Sequence, residues 1–113
     1  MPPSTLPQRT AEPDTRNDPG EREDSPPLYH VVLLDDNDHT YEYVIEMLCM
    51  LFFLSTEAAY KNACEVDAMG RTIVITCDKE TAEFGRDQIH AYGADWRMPR
   101  SKGSMSAQVE PAA

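Results

Sequence analysis

The sequence predicts an α+β domain of order β-α-α-β-α-β, a three-stranded antiparallel sheet with three helices on one face. Three observations predict it. The apolar run Val31 to Leu34 passes without a gap into an acidic turn, Asp35-Asp36-Asn37-Asp38, and then into a segment of helical period. The β-branched run Thr72-Ile-Val-Ile-Thr76 stands between two further segments of helical period. Near the end, Met105, Ala107 and Val109 alternate with Ser104, Ser106 and Gln108, as in a half-exposed strand. Strands and helices in this order pack as two layers around one core.

The chain divides at Pro26-Pro27. Of its nine prolines, seven fall between Pro2 and Pro27, among charged and hydroxyl residues with hardly anything apolar. Such a segment cannot offset the entropy of ordering, so residues 1–27 are expected to be a disordered tail and 28–113 the domain.

Within the domain, Tyr29 to Leu34 is the first strand. Its Val and Leu run suits a strand buried on both faces. The carboxylates after it cannot be buried unpaired, which puts them at an exposed strand-to-helix junction. From Thr40, Tyr41, Val44, Ile45, Leu48, Leu51 and Phe52 recur at helical spacing, with Asp38 or Thr40 as cap and Glu42 in the first turn. Ser55 opens the second helix, with Glu57 just inside and Ala59, Ala63 and Val66 on one face; Gly70 ends it. Arg71 starts the second strand. Asp78 caps a third helix expected to run to about Tyr92, with Ala82, Ile89 and Tyr92 inward and Gly93 as its stop. Gly85 inside that helix costs about 1 kcal/mol relative to Ala.

Composition narrows the function. In 113 residues the formal charge is -10 and the pI about 4.5, so nucleic acid and anionic membranes should repel the chain. Cys49, Cys64 and Cys77 form no CxxC and cannot all pair, which predicts reduced, mostly buried thiols in a cytosolic protein. No apolar run approaches the roughly 18 residues of a membrane span. The N-terminus lacks a signal-type apolar region. A soluble, cytoplasmic protein is expected.

No nucleophile–base arrangement is visible around His30, His39 or His90, and there is no GxSxG, P-loop or GxGxxG. His90 reads as a helix-surface residue. Neither an enzyme nor a cofactor is expected. Asp35, Asn37, His39 and Glu46 fall at the spacing of a calcium loop. Thr40 stands where that loop requires Gly, His39 is not a calcium ligand, and an apolar strand precedes where a helix should; no metal site is expected. A phosphate-accepting receiver domain also begins with an apolar strand and Asp-Asp, but it needs five parallel strands, and this chain has three candidates.

Over essentially all of 28–113 the chain resembles the bacterial Clp protease adaptor ClpS family. That family opens with a strand, Asn-Asp-Asp and a Thr-Pro-Met-Glu-type helix start. Here the corresponding ten residues run Asp35-Asp-Asn-Asp-His-Thr-Tyr-Glu-Tyr-Val44. Its second helix ends in Val-His-x-x-Gly-Lys/Arg, matched by Val66-Asp-Ala-Met-Gly-Arg71, and the third helix and short last strand fall in register.

The resemblance implies a non-enzymatic, monomeric N-end-rule adaptor. Such adaptors hold peptides whose first residue is bulky and apolar and deliver them to the N-terminal domain of a Clp Hsp100 ATPase of ClpA or ClpC type. It implies that Asp35, Asp36 and Asn37 face the peptide's α-amine, with His39 at the Thr position and Thr40 beside it. Tyr41 takes the place of the Met that gates the side-chain pocket. Val44, Ala63, Val66 and Met105 line that pocket, and Asp67 replaces the His that bonds the amine. Glu80 matches an acidic contact to the unfoldase. Gly85 stands where a Lys makes another, and Arg86 is its substitute one place on. Asp67, Tyr41 and Gly85 depart from the pattern. They favour a second reading, a diverged paralogue that regulates or binds another protein without taking N-degrons.

Overall fold

Leu28–Leu34 form β1, the middle strand of the sheet, in a computed structural model that describes residues 26–113. All but Pro26 and Pro27 of the expected tail lies outside the described residues. The remaining elements are α1 (Tyr41–Phe52), α2 (Thr56–Met69), β2 (Arg71–Asp78), α3 (Lys79–His90) and β3 (Ser106–Pro111). Both β2 and β3 pair with β1 antiparallel, in the order β2-β1-β3. The predicted fold class and element order are those observed.

The run Val31-Val32-Leu33 is fully buried, as its composition predicts, and the two faces achieve this differently. Val31 and Leu33 join the core beneath the helices; each such side chain contributes roughly 1.5–3 kcal/mol by leaving water. Val32 points the other way. Arg71 lies opposite Leu34 and Glu110 opposite His30, so the Arg71–Glu110 ion pair (2.6 Å) runs diagonally across Val32. His30 Nδ1 lies 2.8 Å from Thr76 Oγ1 on that same face.

Register in β2 contains a bulge that alternation alone did not predict. Val31 pairs with Ile75 and Val32 with Ile73, leaving Val74 as the extra residue. The bulge reverses the inward parity, so Thr72 and Val74 are buried, Ile75 and Cys77 pack on the core, and Thr76 turns out to His30. Buried Thr72 is satisfied: Asn62 Nδ2 donates to its hydroxyl (2.8 Å), which donates to Glu65 Oε1 (2.5 Å).

The helix termini follow local chemistry. Thr40, Ser55 and Asp78 are the N-caps, accepting from the N–H groups of Tyr43, Ala58 and Thr81. Gly70 closes α2 at φ 84°, where a Cβ would be strained. The third helix stops at His90, two residues before the expected end, and Tyr92 is half-buried. His90 is exposed on the helix, as expected, yet its Nε2 lies 3.1 Å from the Ala107 N–H and caps the outer edge of β3.

Two expectations change. The fully buried stripe of α1 is Tyr43, Val44, Met47 and Leu48; Ile45, Leu51 and Phe52 pack at the margin of the core, and Tyr41 is exposed. Tyr43 is accepted because its hydroxyl donates to Gly93 O (2.5 Å), which keeps the ring's polar tip paired. Also, the three free cysteines are half-buried, not mostly buried. No helix among the described residues is long and apolar enough to cross a membrane.

Candidate functional site

The acidic turn begins where β1 leaves the sheet. Asp35 N–H donates to Gly70 O (3.0 Å), which brings the end of α2 beside the turn. Asp35 Oδ1 accepts from Asn37 N–H (3.1 Å) and Asp36 Oδ1 from Asp38 N–H (3.0 Å). These two overlapping side-chain turns hold Asn37 at φ 62°, a conformation Asn tolerates better than most residues. The backbone therefore presents four carboxylate or amide side chains in succession.

One flank of the turn is bound to the loop between α3 and β3. The His39 ring, 3% exposed, lies 4.5 Å from the Tyr43 ring centroid; its Nδ1 is 2.8 Å from Asp36 Oδ1 and its Nε2 2.7 Å from Gly103 O. Asp95, 1% exposed, accepts from Thr40 N–H (2.7 Å), Thr40 Oγ1 (2.9 Å), Arg97 N–H (3.0 Å) and Arg97 Nη1 (3.3 Å). Burial pushes the Asp95 carboxyl up, but those donors outweigh it and hold the group below the ordinary carboxylate value. Arg97 continues to Glu46 (2.6 Å). Arg100 reaches the turn itself, donating to Asn37 O (2.6 Å) and pairing with Asp38 (2.9 Å).

The other flank faces α2. The Tyr41 hydroxyl donates to Asp67 Oδ2 (2.7 Å), joining the first turn of α1 to the last turn of α2. That hydrogen bond, with desolvation adding to it, pushes the Tyr41 phenol up to about 12. The Tyr41 ring lies 6.2 Å from the Tyr60 ring. Tyr60 and Asp67 are two helical turns apart on one face, about 10 Å, so the Tyr41 side chain lies along that face of α2.

Val44, Ala63, Val66 and Met105 are all buried members of the hydrophobic core. Asp35, Asp36, Asn37, Tyr41 and Asp67 stand at the surface or half-buried around it. Unlike these, His39 and Thr40 face the loop, where they support the turn's geometry. Glu80 and Arg86 are on α3; Glu80 is exposed in its first turn, and Arg86 pairs with Asp87 (3.1 Å).

Sequence reasoning missed two features. Asp95 is the hub that holds the start of α1, yet nothing in the chain around it marks a partner at Thr40. The second is an apolar groove of about 290 Å³ between the end of α1 and α3, lined in part by Met50, Phe53, Ile75, Phe84 and Gly85. The apolar burst Met50 to Leu54 was its signal. Phe53 is 90% exposed, far beyond what a core residue shows. Gly85 is explained there: a Cβ at this position would lie 2.9 Å from Phe52 Cε1.

Comparison with known proteins bears on the family and the fold. The family model described as ATP-dependent Clp protease adaptor protein ClpS matches residues 24–99. The ATP-dependent Clp protease adapter protein ClpS 2 of Rhizobium meliloti (strain 1021) is 35% identical over 74 residues, 66% of this chain and 73% of that relative. A solved structure of Agrobacterium tumefaciens ClpS2 bound to L-phenylalaninamide matches with a TM-score of 0.66, covering 77% of this chain and 99% of that one. At 23% identity that likeness bears on the fold.

Proposed function

This chain belongs to the ClpS family of Clp protease adaptor proteins, and we propose on that premise that it is a non-catalytic, cytoplasmic N-end-rule adaptor. It takes substrates whose first residue is bulky and apolar and delivers them to the N-terminal domain of a ClpA- or ClpC-type Hsp100 unfoldase, working as a monomer.

The observation that supports the proposal is the hydrogen bond from Asp35 N–H to Gly70 O, which ties the acidic turn to the end of α2, the helix that carries Ala63, Val66 and Asp67. A free α-amino group has a reference pKa of about 7.7–8.0 and is largely cationic at neutral pH. Carboxylates and amide oxygens on a fixed turn take its N–H donors through charge-assisted bonds, each worth roughly 1.5–3 kcal/mol. An adjacent apolar cavity for the first side chain adds about 1.5–3 kcal/mol for Leu or Phe. The relative from Agrobacterium tumefaciens carries in L-phenylalaninamide a ligand of this kind, an aromatic side chain beside a free α-amine. Glu80 and Arg86 are the proposed unfoldase contacts. The groove between the end of α1 (Met50, Phe53) and α3 (Phe84) gives that surface an apolar neighbour.

A labelled peptide beginning with free Leu or Phe should raise its fluorescence anisotropy on titration with the protein, and its α-acetylated twin should not. Binding should weaken as pH rises past about 8, where the amine loses its charge. Equal binding of both peptides would remove the amine from the reading. The Tyr41–Asp67 bond favours a second reading, a paralogue that docks on the unfoldase and binds no degron. Docking to the isolated unfoldase N-terminal domain without peptide binding would identify it.

A further inference from the structure

The His39 side chain is 3% exposed, and both of its ring nitrogens meet oxygen. Nδ1 lies 2.8 Å from Asp36 Oδ1; Nε2 lies 2.7 Å from Gly103 O, with Ser101 Oγ further off at 3.2 Å. A backbone carbonyl and an ionised carboxylate accept hydrogen bonds and cannot donate them, so each nitrogen must bring its own proton. A neutral imidazole carries only one. The ring that satisfies both contacts is the imidazolium. Placing the second proton on Asp36 instead runs against the order of acidity, since a carboxyl has a reference value of about 3.9 and imidazole about 6.5. The groups around the ring suit a cation. Tyr43 of α1 stacks on it at 4.5 Å. The charged groups of the adjoining turn and loop are Asp36, Asp38, Asp95, Arg97, Arg100 and Lys102. Asp95 is engaged by Thr40 and Arg97, and Arg100 pairs with Asp38, so Asp36 is the carboxylate that meets the ring.

We propose that His39 is a positioning residue that acts as an imidazolium: it donates to Asp36 and to Gly103 O at once and so clamps the acidic turn to the loop between α3 and β3. Asp36 Oδ1 is thereby occupied by His39 and by the Asp38 N–H (3.0 Å), and Oδ2 is the oxygen left to an incoming ammonium. Loss of the ring proton turns a nitrogen lone pair toward either Asp36 or Gly103 O, and one side of the clamp opens. The ligand must then order the turn itself, which weakens binding. Deprotonation also removes the counter-charge of Asp36, an effect of opposite sign. At a side chain 36% exposed that Coulombic gain is small and screened by salt, so the loss of order prevails. The proposal rests on the N-degron reading and gives that site a residue which sets its geometry and its response to pH.

Nitrogen-resolved NMR of the free protein reads the ring directly. At about pH 5.5 His39 should show two ring N–H signals protected from exchange with water, and at high pH only one. Asp36→Asn offers an amide that can itself donate to Nδ1, so in that variant the second signal should vanish at a lower pH than in wild type. Anisotropy titrations with a free-amine Phe-initiated peptide then compare wild type with His39→Gln, which carries one donor at every pH. Their affinity ratio at each pH cancels the titration of the peptide's amine. It should fall from roughly two- to tenfold in favour of wild type at about pH 5.5, the effect of one hydrogen bond, to near one at about pH 8. A single ring N–H at about pH 5.5, or a ratio that does not change with pH, overturns the clamp, while binding of the peptide by wild type leaves the adaptor reading standing. If wild type takes no free-amine peptide at any pH in this range, the adaptor reading fails, and the positioning role of His39 fails with it.

Discussion

The acidic turn has two flanks built from the same residue types and put to opposite uses. Toward the loop between α3 and β3, His39, Thr40 and Asp38 are held by Gly103, Asp95 and Arg100, and Asp95 alone receives four donors. Toward α2, Asp67 is met by one hydroxyl from a side chain that is 37% exposed. The first flank sets where the turn and the start of α1 stand. The second leaves acceptors at the surface in a position already set. A recognition site needs both, since acceptors that must be ordered on binding lose affinity to that ordering. Carboxylates serve either purpose, and burial decides which: Asp95 is enclosed, whereas Asp67 is exposed.

Removing Asp95 should break the contrast most. Asp95→Ala leaves the Thr40 and Arg97 donors buried and unpaired, which costs about 2–4 kcal/mol. For a domain of this size the thermal midpoint should fall by roughly 10–25 °C, readable by circular dichroism. The pH dependence has a definite sign. Because the folded-state carboxyl lies below the ordinary value, its stabilisation is complete above that value and is lost as pH falls through it toward the folded pKa. Asp95→Asn should accordingly flatten the acid limb of the stability curve.

The opposite flank should respond in the opposite way. Asp67→Ala is expected to alter stability by no more than about 0.5 kcal/mol, being an exposed site with one partner, while it weakens peptide binding. Denaturant melts of both variants side by side decide the comparison; a large loss of stability in Asp67→Ala would mean that the two flanks are alike. The smallest effect belongs to Arg100, whose pair with Asp38 is largely exposed and worth about 0–1 kcal/mol. Arg100→Gln exposes the charge of the turn, so peptide binding should tighten slightly at low salt and return to the wild-type value at high salt.

Ser55 and Asp78 were legible as caps, Thr40 as one of two candidates and Gly70 as a terminator, because each acts on backbone groups only a few residues away. The acidic turn was legible for the same reason. Its carboxylates follow a fully buried run and must find water or donors at once. The bulge at Val74 was not, since it depends on how β1 pairs across a long stretch of chain. Gly85 looked like a weakness in a helix, and only the packing of Phe52 against it explains the missing side chain. Tyr41 and Asp67 were each named as departures, but the bond between them joins residues 26 apart and has no sequence signal.

The sequence by itself determined the order of elements, most of their caps, the α+β class and the family of this chain. Those follow from periodicity, capping chemistry and motif spacing, which operate within a turn or two of the backbone. Only the tertiary structure decided that Asp95 anchors the acidic turn, that the sheet shields Val32 with an ion pair, and that Tyr41 bonds Asp67. These are pairings between distant segments, and a side chain's partner across the fold is set by which surfaces the packed core brings within hydrogen-bond reach.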